Sequence, residues 1–159
     1  MTSKMAVQTF TKEEASAEIE RLKNLEKIML YHGTGGKWFD SILKIGLIPW
    51  NLGIGHNWDP LGIDMYGFYT PRMDCVYFGG YDKAEGYASF WVEDKKCKDG
   101  IVVEAVLDTK NLLADEYSRK KTWMDSYVSI GRCAHLGMVP AEKITKVYDL
   151  KRKVIFNNR

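Results

Sequence analysis

The chain has 159 residues, 45% of them hydrophobic and 28% charged, with 23 Lys+Arg against 21 Asp+Glu for a net charge of +2. That length and composition suit one globular domain with a sizeable core and exclude a disordered chain. A charge so near balance gives no global pull toward nucleic acid or anionic lipid, and no apolar stretch approaches the roughly 18 residues of a membrane span.

Residues 1–10 read as a flexible N-terminus, and residues 11–159 as a single domain. Thr11 with Glu14 forms a capping box, and Ala15, Ile19 and Leu22 share one face of a helix reaching Asn24. Residues 27–32 suit a buried strand, closed by a Gly33-Thr34-Gly35-Gly36 turn. Trp38 to Ile45 reads as a helix with Gly46 as its C-cap. Trp50 to Asp74 is a glycine- and aromatic-rich loop, of the kind that more often serves function than accident. A short strand at Cys75–Gly79 precedes a helix capped by Asp82 and running to about Asp94. Residues 100–107 alternate as a strand, with Ile101, Val103, Ala105 and Leu107 to one side. Asn111 to Thr122 reads as polar loop with a helical turn, and Tyr127 to Leu136 as one or two strands. Residues 144–150 and 153–156 close the domain as strands. Helices early and strands late give an α+β class with a mixed or antiparallel sheet.

Cys75, Cys97 and Cys133 are odd in number, widely spaced and without zinc-ligand spacing. They read as reduced, partly buried thiols of a cytoplasmic protein. The densest polar constellation is Tyr31-His32-Gly33-Thr34. A histidine at a strand end, beside a glycine whose backbone is open to approach, makes a polar edge for a small ligand. Its imidazole can meet a sugar hydroxyl. A core histidine beside a tight turn accounts for the same residues equally well.

Tyr31-His32-Gly33-Thr34, then Ile42-Leu43-x-x-Gly46-Leu47, Val76-Tyr77-Phe78 and Lys83-Ala84-x-x-Tyr87-Ala88 resemble, in that order, the ADP-ribosyltransferase superfamily. The similarity is to its diphtheria-toxin and poly(ADP-ribose) polymerase side. It covers residues 28–88, with weaker likeness to residue 150. The resemblance implies a compact split sheet with flanking helices and a cleft for NAD. It implies that His32 bonds a ribose hydroxyl, that Gly33 holds the nicotinamide carboxamide through its backbone, and that Thr34 reaches a ribose hydroxyl. Tyr77 and Tyr87 would sandwich the cationic nicotinamide ring, and the 50–74 loop would lie over the adenosine half.

The family's glutamate on a late strand has no counterpart, because Gly131-Arg132-Cys133-Ala134-His135-Leu136-Gly137 holds no acid there. Asp125 could supply the carboxylate in a shifted register. His135 or Arg132 could take a different part, as in the RNA 2′-phosphotransferase branch, with Arg72, Arg132 and the Lys151-Arg152-Lys153 run forming a basic groove. A non-catalytic NAD or ADP-ribose reader is the third possibility. His56 in the long loop and the 151–153 run read more simply as solvated. The expected activity is mono-ADP-ribosyl transfer from NAD, without a metal, to an unidentified protein or nucleic-acid acceptor. A cytoplasmic, monomeric, stand-alone effector that does not engage a membrane fits that expectation.

Overall fold

In the computed structural model, residues 10–49, 74–94 and 97–158 are described; the 50–74 loop expectation, except for Asp74, and that for residues 1–9 fall outside them. Helix α1 (Lys12–Lys23) starts as its capping box predicts, with the Glu14 N–H donating to the Thr11 hydroxyl at 3.1 Å, and it buries Leu22. Strand β1 (Lys27–Gly35) continues through Gly33 and Thr34, where the sequence predicts a turn. Glycine permits a turn but does not force one. Here the two glycines of that stretch are needed for close packing: a methyl group on Gly33 would overlap the Ala84 carbonyl and lie 2.9 Å from the Ala88 nitrogen.

Helix α2 (Phe39–Ile45) ends at Gly46, whose φ of +100° strains any side chain. The chain then forms β2 (Gly46–Leu47) and later β3 (Cys75–Gly79). Helix α3 (Tyr81–Glu93) is capped by Gly80, so Asp82 lies inside its first turn rather than at its cap. Strands β4 (Gly100–Asp108) and β5 (Leu112–Ala114) follow.

Trp123–Ile130 is a helix, α4, capped by Thr122 and ended by Gly131 at φ 73°, where Tyr127 onward reads as strand. Its β-branched and aromatic residues favour a strand locally, but the Thr122/Asp125 capping box and the buried Trp123 and Ser126 fix a helix. Strands β6 (Arg132–Leu136), β7 (Val139–Pro140), β8 (Ile144–Asp149) and β9 (Val154–Asn157) complete the chain.

Among the described residues seven strands form one sheet in the order β5-β6-β3-β1-β4-β8-β9, with antiparallel neighbours throughout, and β2 pairs β7 separately. Among the described residues the fold is therefore mixed α and β, with an antiparallel sheet and four α-helices. One face carries the main core, including Leu30, Val76, Phe78, Val103, Leu107 and Cys133. On the other, α3 lays Ala84 and Ala88 against Val102, flanked by Tyr31, Tyr81 and Tyr148. All three cysteines are buried free thiols, and burial raises the Cys133 thiol well above its ordinary value. No described helix is long and apolar enough to cross a membrane.

Candidate functional site

The sheet has one weak seam. β1 pairs β4 through nine successive residues, Lys27 with Asp108 to Gly35 with Gly100, but pairs β3 only at Tyr31 with Gly79. Backbone parity shows what the seam exposes. At the two ends of the β1–β4 ladder, the Gly36 N–H donates to the Asp99 carbonyl at 2.8 Å and the Thr109 N–H to the Glu26 carbonyl at 3.0 Å. Hydrogen-bonded pairs alternate along an antiparallel ladder, so even-numbered residues of β1 turn their backbone groups to β4. Odd-numbered ones, Tyr31 and Gly33 among them, turn theirs to β3. One step beyond Tyr31–Gly79 the strands part, which leaves the Gly33 N–H and C=O directed at the gap.

His32 closes the seam from the core side. Its Nδ1 lies 2.7 Å from the Tyr77 carbonyl, which can only accept, so Nδ1 carries the proton and Nε2 is left as an acceptor. Burial lowers the His32 pKa, partly offset by that carbonyl, and so holds the ring neutral. Thr34 is buried on the same face of β1. Phe78 lies between two histidines, with ring centroids 5.7 Å from His32 and 6.4 Å from His135. His135 donates from Nδ1 to the Gly137 carbonyl at 3.1 Å, and burial lowers its pKa also.

The opposite face holds a connected polar set. Tyr77 donates its hydroxyl to Glu116 at 2.6 Å, a length in the charge-assisted range. The Arg132 guanidinium lies 5.2 Å from the centre of the Tyr117 ring and donates to the Tyr87 hydroxyl at 2.6 Å. It also pairs with Asp115, whose side chain is 1% exposed, at 3.5 Å. Burial raises the Asp115 carboxyl above its ordinary range, against the pull of Arg132. Burial likewise raises the Tyr87 phenol, again opposed by Arg132. Ser126 of α4 locks this arrangement, accepting from the Asp115 N–H at 3.0 Å and donating to the Arg132 carbonyl at 2.6 Å. Glu116 Oε1 and Asp115 Oδ2 are buried acceptors without a hydrogen-bond donor.

The residues singled out from sequence thus divide. Tyr77, Tyr87 and Arg132 join on one face through the Asp115–Tyr117 segment, with the Gly33 backbone at the seam. His32, Thr34 and His135 lie on the core face. Asp125 stands apart: it opens α4 rather than a strand, and its carboxylate accepts from the Thr122 hydroxyl at 2.9 Å as a helix cap. Sequence reading misses Asp115, Glu116 and Ser126. The signal available for the first two was an acid pair next to a tyrosine in a polar segment, with Asp115 capping the short turn Glu116–Ser118.

Chemically, the polar face offers two phenol rings, the buried Asp115 carboxylate and the half-buried Glu116, the seam offers one backbone donor and acceptor, and the core face behind it a neutral imidazole. That suits a ligand with an amide, a flat cationic or polar ring and sugar hydroxyls. Among the described residues no group of three His, Cys, Asp or Glu side chains could hold a metal ion. No protein-family model matches the chain, and no curated protein matches it in sequence.

Proposed function

We propose that the chain is an NAD-dependent mono-ADP-ribosyltransferase, and the observation that carries this reading is the parting of β1 and β3 beside Gly33. A carboxamide has one donor edge and one acceptor edge, which complements a single strand residue with free-facing N–H and C=O. In this reading Gly33 holds the nicotinamide amide, while Tyr77 and Tyr87 supply electron-rich ring faces for the pyridinium. The His32 imidazole and Thr34 meet ribose hydroxyls.

Glu116 takes the part of the carboxylate that the late strand lacks. Its Oε2 binds the Tyr77 hydroxyl, and Oε1 remains to accept from a sugar hydroxyl. As the bond between ribose C1′ and the nicotinamide nitrogen breaks, its electron pair neutralises the pyridinium and positive charge grows on the ribose. A fixed carboxylate in a buried setting stabilises that charge more than water would. The acceptor's nucleophile then bonds to C1′ and loses its proton.

The described arginines that the 2′-phosphotransferase alternative names are engaged with the protein itself: Arg132 is bound to Asp115 and Tyr87, and Arg152 to Glu85 and Asp82. Arg72 lies outside the described residues. The transferase reading is preferred on that ground.

The test is release of free nicotinamide from NAD by the purified protein. Wild type should release it, and Glu116→Gln should lower the rate about 100-fold, the usual effect of removing one electrostatic group from such a site. Saturable NAD binding without release would assign a reader. Neither binding nor release would refute the proposal.

A further inference from the structure

The two tyrosines of the candidate site meet opposite charges at their hydroxyls. Tyr77 donates to the Glu116 carboxylate at 2.6 Å, whereas Tyr87 accepts from the Arg132 guanidinium at 2.6 Å. A phenol that donates to an anion gains electron density in its ring, and one that accepts from a cation loses it. Ring faces attract cations through that density, so the Tyr77 face is strengthened and the Tyr87 face weakened.

Arg132 also stands close to the ring itself. Its guanidinium is 5.9 Å from the centre of Tyr87, inside the ~6 Å over which a cation and a ring interact. The residue is held there from several sides. Its β6 backbone pairs with Gly79 of β3, and its carbonyl accepts from Ser126 at 2.6 Å. Its side chain, 16% exposed, pairs with Asp115 at 3.5 Å and lies 5.2 Å from the Tyr117 ring centre. A second cation over Tyr87 would therefore meet a fixed one already in place.

We propose that Arg132 determines the charge preference of this slot: it opposes a cationic ring over Tyr87 and accepts the neutral ring left once the bond to ribose has broken. This deepens the transferase reading and rests on it. While the bond between C1′ and the ring nitrogen is intact the ring is a pyridinium, and Arg132 repels it. As that bond breaks, its electron pair passes to the ring nitrogen, nicotinamide becomes neutral, and the repulsion ends. The positive charge passes to the ribose, the group that the same reading gives to Glu116. An interaction that is unfavourable only before the bond breaks raises kcat and weakens the hold on NAD.

The experiment compares 1-methylnicotinamide, a cation, with nicotinamide, which carries the same carboxamide on a neutral ring. Both are titrated by calorimetry into wild type, Arg132→Met, Arg132→Lys and Tyr87→Phe. Arg132→Met should raise affinity for the cation about tenfold, the effect of removing a like charge at roughly 6 Å in a half-solvated setting, and leave nicotinamide within about twofold. Arg132→Lys keeps the charge and should stay near wild type. Tyr87→Phe keeps the ring and the Arg132–Asp115 pair, at a position 42% exposed, and should favour the cation by about threefold. With NAD as substrate, Arg132→Met should lower KM and kcat together, the signature of lost ground-state repulsion.

The inference is overturned if the two ligands gain or lose equally, if the cation binds Arg132→Met more weakly, or if kcat holds while KM falls. Should Arg132→Met fail to fold, an unchanged ratio in Tyr87→Phe overturns it alone. A wild type that cleaves NAD while these ratios stay put keeps the transferase reading and removes this inference. The expected ratios without nicotinamide release would leave the charge preference standing in a reader. A wild type that binds neither ligand and releases no nicotinamide removes both.

Discussion

The two sides of the seam hold together by different means. From β1 to β8 the sheet relies on ladders of nine pairs between β1 and β4 and five between β4 and β8, with Val102, Val103, Ala105 and Val147 fully buried along them. From β3 to β5 the ladders are shorter, five pairs and then three, and side chains do much of the joining. Ser126 ties the Asp115 turn to β6, Glu116 ties it to Tyr77, and Arg132 ties β6 to α3. Apolar burial predominates in the first half, where the buried Glu104 accepts from the Thr145 and Tyr148 hydroxyls, whereas a wider polar network makes the second half dependent on each member. Buried polar groups with acceptors left over are tolerated there, which is where binding chemistry is to be sought.

The largest expected effect tests the contact between the two halves. Gly33→Val would drive β1 away from α3, because the added side chain overlaps the Ala84 carbonyl, a backbone atom that cannot rotate aside. A loss of about 3 kcal/mol or more in urea unfolding is expected. A loss below 1 kcal/mol would mean that the helix rides loosely on the strand and that Gly33 is there for its backbone alone.

The second effect is one of pH, and it belongs to the core-face histidines. Both imidazoles have lowered pKa values, so the folded protein resists a proton that the unfolded chain accepts below about pH 6.5. Above that value they contribute no pH dependence. Below it stability falls, by up to about 1.4 kcal/mol per pH unit for each histidine, until the folded rings protonate in turn. Asp115, raised by burial, acts in the opposite sense, since acid relieves its buried charge. Urea titrations between pH 7.5 and 5 should therefore show a decline that His135→Gln roughly halves. An unchanged slope in that variant would place the proton uptake elsewhere.

The smallest effect concerns α4. Asp125→Ala removes the capping partner of Thr122 and a negative charge from the first turn, and should cost about 0.5–1 kcal/mol of stability. Nicotinamide release should fall no further than that loss explains. A collapse of release in a well-folded variant would restore Asp125 as a catalytic candidate and redraw the line between the halves.

How much of this was legible depended on the range of the interactions concerned. β4 and α1 were readable because alternation and a capping box are local. β8 and β9 were readable to within a residue at their ends. α4 was not, because Tyr127, Val128 and Ile130 have strand propensity and only packing of Trp123 and Ser126 outweighs it. β1 ran on through its glycines because a helix lies against them, a fact of tertiary structure. Tyr77, Tyr87 and Arg132 were singled out through the family resemblance, and the structure brings them to one face. Glu116 was not, since it sits in a three-residue turn without periodicity and meets Tyr77 from 39 positions away.

The single Tyr31–Gly79 pair has a kinetic consequence. Along β1, amide protons at even positions are bonded into the β4 ladder, while odd positions turn to β3, where Tyr31 is paired with Gly79 and Gly33 faces the gap. Solvent deuterium should therefore enter β1 in an alternating pattern, with Gly33 exchanging well ahead of His32 and Thr34 on either side. The seam is then the place where this sheet breathes first. Any molecule that fills it will announce itself by slowing one amide.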